Sequence, residues 1–343
     1  MDVGHTQSIP SGNWFVVMLS KELKKNPIQK KLMDETIVLF RNKDSHPHAL
    51  KDQCPHKQMF LSKGKIKGNH IICPYHGWQF GTDGELKKHP CHGKRDANLK
   101  CRVRRFETIE QDGFIWVYMG KEKATTLPPT YPKEKKYHWF DIEYEINATA
   151  PLIMENGFDC AHTCFVHEGL FRSSPKEEVQ VNIRPTAQGI IATTIEEQQK
   201  GGGFDIKTIL SGRKKVVHTD QLILPNTVRV DYVQEDFYHV ITILMCTPID
   251  QNNTRVFIRM ATWYAYLTWL VGPFVKHLTN KVVKQDRIIL KNQYQCIDTF
   301  GRKPHIYVQA DWPSKMMLKC MDLNSRGEFH PDKVKEADVS FKL

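Results

Sequence analysis

Apolar and polar positions along this chain fall mostly in short bursts or in alternation, the period-two pattern of strands, and only two stretches change to helical spacing. The first bursts are Asn13-Trp14-Phe15-Val16-Val17-Met18 and Thr36-Ile37-Val38-Leu39-Phe40-Arg41. The second is β-branched and bounded by charged turn residues, as a short buried strand is. Residues 78–86 read as a strand, an Asp83-Gly84 turn and a further strand. Another aromatic and β-branched run, 114–119, closes a small all-β domain over residues 1–122. A charged, then proline-rich segment, 120–132, resists regular structure and is the expected linker.

Beyond it the alternation resumes at 137–148, 179–183, 189–195, 204–209, 219–224, 227–232, 237–248 and 254–264. Strands of that kind predict an antiparallel sheet with one buried face. Gly201-Gly202-Gly203 reads as a turn, because no Lys-Ser/Thr at a helix start follows it. Helical spacing is confined to the middle of the chain around 153–167 and to 274–295. The apolar stretch 260–275 is expected to be a buried strand running into a loop at Gly272-Pro273, with a membrane-surface patch as the alternative, and it is too short to span a bilayer comfortably. The polar 321–343 is expected to lie over the surface. The fold class is therefore α+β: an all-β amino-terminal domain, then a domain over 133–343 with an antiparallel sheet flanked by helices.

Composition narrows the class. With 343 residues, 40% hydrophobic and 25% charged, the chain has the make-up of a two-domain soluble enzyme. No basic region followed by an apolar run opens it, so a cytoplasmic location is expected. Nine cysteines, an odd number, suit metal or catalytic use better than a disulfide framework. Charge is uneven. Of a net +11, the segment 51–105 holds thirteen Lys and Arg against four acids, a local +9. Such a face speeds encounter with acidic partners. Nucleic acid is the obvious one, but no binding motif for it is present.

Two constellations carry chemistry. Cys54-Pro55-His56 and, after a gap of sixteen residues, Cys73-Pro74-Tyr75-His76-Gly77 place one Cys and one His on each of two loops. A structural zinc accepts two Cys and two His; a Rieske [2Fe–2S] cluster takes two Cys on one iron and two His on the other. Zinc fingers usually pair Cys with Cys, whereas here each loop supplies one of each, which favours the two-iron rhomb. Pro55 and Pro74 stiffen the loops, and Gly77 offers a position free of Cβ clash. Cys91, His92 and Cys101 are read as incidental, since four ligands are already present.

The second constellation is Asn156, Asp159, His162 and His167. On a helix Asp159 and His162 share a face, while His167 lies roughly 140° from His162. If both histidines bind one ion, the helix must end or bulge near 163–165. Two His and a carboxylate with open positions form the facial triad of non-haem Fe(II) oxygenases. A buried helix with two hydrogen-bonded histidines accounts for the same residues.

Taken in order, Cys54/His56, Cys73/His76, Gly77-Trp78 and the Asn156–His167 stretch resemble the α-subunits of Rieske non-haem iron oxygenases over most of the chain. That resemblance implies a [2Fe–2S] cluster on Cys54, His56, Cys73 and His76, and a mononuclear Fe(II) on His162, His167 and an aspartate of a late helix. Asp286 looks like that aspartate; Asp298 and, more weakly, Glu155 are the alternatives, and a solvated pair with Arg287 or Lys284 is the ordinary fate of such a residue. Asp159 matches a bridge between His162 and His76 of a neighbouring subunit, and Asn156 an asparagine close to the iron.

The resemblance further implies a homotrimer, O2 as co-substrate, and NAD(P)H electrons delivered by a reductase or ferredoxin, since no dinucleotide-binding glycine pattern occurs here. An acidic carrier would dock on the basic face of Lys57, Lys63, Lys65, Lys67, Arg102, Arg104 and Arg105. The reaction class is monooxygenase hydroxylation or demethylation of a small molecule, with cis-dihydroxylation (dioxygenase) or desaturation as alternatives and an electron carrier or zinc-binding protein as the reading from another class. Phe165, Leu222, Leu224 and Val228 are the expected pocket residues.

Overall fold

The structure, a computed structural model, describes residues 9–90, 98–131, 133–168, 170, 178–197, 215–235, 237–265 and 268–342. The strand expected at 204–209, the Gly201–Gly203 turn, Cys91 and His92 lie outside them. By compactness the chain forms two units, one of Ser11–Pro132 with Thr247–Gln251, the other of Lys133–Cys246 with Asn252–Leu343.

Three small antiparallel sheets make the first unit. β1 (Trp14–Leu19), β10 (Thr108–Gln111) and β11 (Phe114–Tyr118) lie in the order β1-β11-β10. A second sheet is ordered β2 (Ile28–Leu32), β3 (Glu35–Arg41), β4 (Pro47–Lys51) and β9 (Arg105–Phe106). The third runs β5 (Lys65–Lys67), β6 (His70–Ile72), β7 (Gln79–Gly81) and β8 (Leu86–Lys88). Every residue of β1 is buried, as are Ile37 to Phe40 of β3, so strands with no polar alternation are covered on both faces. Asp112 and Gly113 both take positive φ in the two-residue turn joining β10 to β11, the geometry that matches the twist of a hairpin. The segment after β11 lacks regular structure but is strapped down: Trp14 Nε1 donates to Thr126 O at 2.8 Å, and Tyr131 N donates to Asp112 Oδ2 at 2.6 Å.

In the second unit, eight strands among the described residues form one antiparallel sheet. They are β12 (His138–Ile146), β13 (Glu178–Thr186), β14 (Gly189–Glu197), β15 (Lys215–Ile223), β16 (Thr227–Gln234), β17 (Tyr238–Pro248), β18 (Thr254–Tyr264) and β19 (Ala337–Lys342). Their order is β12-β18-β17-β16-β15-β14-β13-β19. The helices are α1 (Ala150–Phe158), α2 (Thr163–Val166), α3 (Thr268–Phe300) and α4 (Trp312–Ser325). Alternation on β12 separates the faces. His138 points at α3, where an added Cβ on Gly272 would lie 2.4 Å from its ring, so only glycine permits that approach. The odd positions carry acids toward the other face, where they meet arginines directly across β18. Asp141 accepts from Arg259 Nε at 2.8 Å and Nη2 at 3.2 Å, and Glu145 from Arg255 Nη2 at 2.7 Å. Arg259 is fully buried, and a buried charge is tolerated when paired and hydrogen-bonded in this way.

Three expectations are corrected. The loop at Gly272-Pro273 is helix: α3 begins at Thr268 and runs through Pro273. Proline there removes one hydrogen bond near the helix start, and Gly272 serves the helix–strand contact, not a break. Residues 321–343 are not a surface tail. α4 buries Met316, Met317, Leu318, Cys320, Met321 and Leu323, and β19 pairs with β13 from Glu178↔Lys342 to Ile183↔Ala337. The mid-chain helix stops at Phe158, before Asp159, not near 163–165.

Candidate functional site

The two Cys/His loops are built alike. Cys54 N donates to Met59 O at 2.8 Å and Gln58 N to Cys54 O at 2.9 Å; Cys73 N donates to Trp78 O at 2.8 Å and Gly77 N to Cys73 O at 3.1 Å. The fourth residue after each cysteine closes the turn with positive φ, 55° at Gln58 and 68° at Gly77. Each turn therefore sends its cysteine inward and its histidine outward. Both thiols sit in the core with Val38, Phe40, Leu50, Leu61, Ile71, Phe80 and Val103. Burial, with the Cys73 thiol beside it, pushes the Cys54 thiol up to about 11. Two thiols so placed gain little from ionising unless a cation accompanies them. The imidazoles of His56 and His76 stand 4.7 Å apart, and Trp78 stacks on His56 at 4.5 Å and 4°. Desolvation, helped by His76 and Lys57, holds His56 below its ordinary value and so in the neutral form a metal takes. Cys101 packs against the same core from a half-buried position.

The mid-chain donors are placed by a broken helix. α1 opens with Pro151 in its first turn, lies close on β17 through Gly157, and releases the chain at Asp159, whose ψ of 112° is extended. The Asp159–His162 turn follows, fixed by Ala161 N donating to Asp159 Oδ1 at 2.8 Å and Thr163 Oγ1 to Cys160 O at 2.7 Å. His162 and His167 then bracket the single turn of α2 as its two caps, with ring centroids 5.2 Å apart. Bracketing one turn does what a straight helix could not.

Asp286 arrives from α3. Its Oδ1 lies 3.6 Å from His162 Nε2 and 3.1 Å from His167 Nε2, and the three donor atoms fall within 4.8 Å of one another. Yet Asp286 Oδ1 is buried and makes no hydrogen bond. Donors that converge on a point without bonding one another are what a cation satisfies. The outer nitrogen of one ring also fits: His167 Nδ1 faces Gln285 Oε1 at 3.0 Å, while His162 Nδ1, buried and without a hydrogen bond, lies 3.7 Å from Asp159 Oδ2. Acceptors behind the second ring nitrogen fix a metal-binding tautomer. Burial alone would lower His167, but Asp286 and Gln285 more than offset it and raise its affinity for positive charge. Burial raises Asp159 as well, against the pull of His162.

The other sequence candidates fall apart from this point. Asp298 is exposed further along α3. Glu155 approaches His305 Nδ1 at 3.9 Å, and burial pushes it up to about 7. Arg287 turns away from Asp286 onto the Tyr144 ring, 5.0 Å from its centroid. Asn156 lies on the last turn of α1 and is half-buried. Leu222 and Val228 are fully buried cross-strand partners, whereas Phe165 is 71% exposed. Gln285 was not anticipated from sequence; its place beside Asp286 on the helix was the available signal.

Comparison with known proteins agrees with this layout. Residues 13–108 match the Rieske [2Fe-2S] domain and residues 146–322 the vanillate O-demethylase oxygenase C-terminal domain. The 4beta-methylsterol monooxygenase of Methylococcus capsulatus is 34% identical over 337 residues, covering 94% of this chain and 83% of that protein. The chlorophyllide a oxygenase of Oryza sativa is 26% identical over 295 residues, 83% of this chain, and the chain spans only 52% of its length. Among solved structures, dicamba monooxygenase bound to 3,6-dichlorosalicylic acid superposes with a TM-score of 0.78 at 18% identity, over 92% of this chain and 98% of that one. The QL mutant of NdmA from Pseudomonas putida with caffeine gives 0.72 at 22% identity, over 92% and 90%. The latter two show a shared fold. With a Rieske domain, an oxygenase carboxy-terminal domain and a 34% identical relative along nearly its whole length, the chain belongs to the Rieske non-haem iron oxygenases.

Proposed function

We propose that this protein hydroxylates or oxidatively demethylates a small, largely apolar substrate with O2 and electrons from an NAD(P)H-linked reductase or ferredoxin. The observation that carries the reading is the convergence of His162, His167 and Asp286 on one point, in a chain that also holds two matched Cys/His turns. Cys54, His56, Cys73 and His76 would hold a [2Fe–2S] cluster, and His162, His167 and Asp286 an Fe(II). When bound, these groups supply single-electron storage and dioxygen activation beside the substrate. The chain's own residues do the rest. Gln285 would orient the His167 imidazole, with Asp159 beside His162.

Asp159 also fits a bridge in a homotrimer, accepting from His162 on one side and from the partner subunit's His76 on the other. Lys57, Lys63, Lys65, Lys67, Arg102, Arg104 and Arg105, exposed in the first unit, suit an acidic electron donor. Residues 1–122 would then act as the electron-accepting domain and 133–343 as the catalytic domain of a cytoplasmic enzyme. The substrate is best sought among methylated alicycles, because the 34% identical relative is named for a methylsterol. Dihydroxylation and desaturation are the competing outcomes for the same iron.

Iron analysis with turnover tests this reading. Three irons per chain, together with O2 uptake and a hydroxylated or demethylated product from a methylsterol, are expected. Zinc in place of iron, or two irons with no turnover of methylsterols, aromatic acids or methylxanthines, would refute it.

A further inference from the structure

The first two turns of α3 end in apolar side chains that stand exposed among the described residues. Trp269 is 76% exposed, Leu270 59% and Phe274 53%; Pro273 is exposed among them. At about 100° per residue the four lie within an arc of about 140° on one side of the helix. Further along that side the exposed positions become His277, Lys281 and Lys284, with Lys276 at the margin. The opposite side takes Gly272, Val283 and Leu290 into the protein. From Thr268 to Gln285 the helix has no acidic residue; its first acid, Asp286, is turned to the histidines.

A contiguous apolar patch rimmed by charge of one sign marks an interaction surface. Trp, Leu and Phe at the tip with lysines behind them suit a lipid interface, where rings and aliphatic chains enter the acyl boundary while ammonium groups stay with the phosphates. Charge selects the occupant. A second copy docked through the same patch would set its own lysine collar against this one, and an acidic protein surface would answer the lysines but not the apolar tip.

We propose that the amino-terminal end of α3 docks on an anionic phospholipid bilayer, with Trp269, Leu270 and Phe274 inserted and Lys276, Lys281 and Lys284 against the headgroups. This contact is peripheral: no helix among the described residues is long and apolar enough to cross a membrane. It is a binding property that stands whether or not the oxygenase reading does. Were the substrate an apolar alicycle, it would dissolve in the same bilayer.

Sedimentation of the full chain with phosphatidylcholine vesicles, with and without added phosphatidylserine, tests the proposal. The protein should pellet with the serine-containing vesicles and be released by salt. Lys276→Gln and Lys281→Gln should each weaken binding about fivefold. Trp269→Asp, at a position too exposed to disturb the core, should weaken it more than tenfold, while Trp269→Phe should retain it. The proposal is overturned if the unaltered protein stays in the supernatant, or if Trp269→Asp pellets equally well. It is also overturned if Trp269→Asp instead lowers the mass seen by light scattering, which would make the patch a seat for another copy of the chain.

Discussion

The Cys/His loops and the His/His/Asp trio place their donors by different means. Cys54 with His56, and Cys73 with His76, each sit within one backbone-bonded turn, and sixteen residues separate the two pairs. In the trio, the helix that brings Asp286 is 118 positions beyond His167, measured at Gln285. The loops inherit their geometry from local backbone chemistry, so they depend on few distant contacts. Closing a long stretch of chain is entropically costly and must be repaid by packing elsewhere. The trio is therefore the more fragile construction, hostage to the seating of α3 on its sheet.

Single substitutions sharpen that contrast. Asp286→Ala should lower substrate-coupled O2 turnover at least about a thousandfold and bring iron from three to two per chain, while leaving the visible spectrum of the cluster intact. Cys54→Ser should do the converse, losing the spectrum and sparing one iron. Either variant emptying both stations would break the distinction. Next in size, Arg259→Ala leaves Asp141 without its bidentate partner inside the protein. A loss of about 3–5 kcal/mol is expected in the denaturant unfolding of the second unit.

Gln285→Leu removes the acceptor behind His167 and should weaken iron binding at the trio about 10- to 100-fold, read by chelator competition, with the cluster untouched. The smallest effect is a pH dependence. Burial raises Glu155 from 4.5 to about 7 in the folded protein. Between those values the folded state holds a proton that the unfolded state has released, so stability falls as pH rises through the window and then levels off. Glu155→Gln should abolish that decline and gain about 1–3 kcal/mol at pH 8 relative to the parent. A melting temperature with the same pH slope in both proteins would rule it out.

What could be seen in the sequence follows the same division. The loops were legible because residue type, spacing and turn chemistry all sit within a few positions of each other. His162 and His167 were visible as metal-binding types, but their convergence was not: a continuous helix aims them apart, and only the early stop at Phe158 and the one-turn α2 correct it. Asp286 was singled out through a resemblance, since nothing local distinguishes it from Asp298.

Pro273 misled because Gly-Pro reads as a break, while the reason for the glycine, His138 beneath it, lies on another strand. α4 was overlooked because Lys and Asp interrupt its hydrophobicity, although Met317, Cys320 and Met321 at helical spacing do betray a buried face. β19 had no local signal; the edge of β13 supplies its hydrogen bonds.

Gln285 and Asp286 are consecutive residues of one rigid helix, and both address His167, one at each ring nitrogen. A movement of α3 that carried its backbone away from His167 would withdraw both together. The imidazole would lose its orienting acceptor in the same movement that cost it the carboxylate. The seating of that one helix therefore sets both contacts at once. Mutational damage far along the rod should accordingly show up as a smaller population of intact sites, each of ordinary affinity, in place of a uniform population bound less tightly.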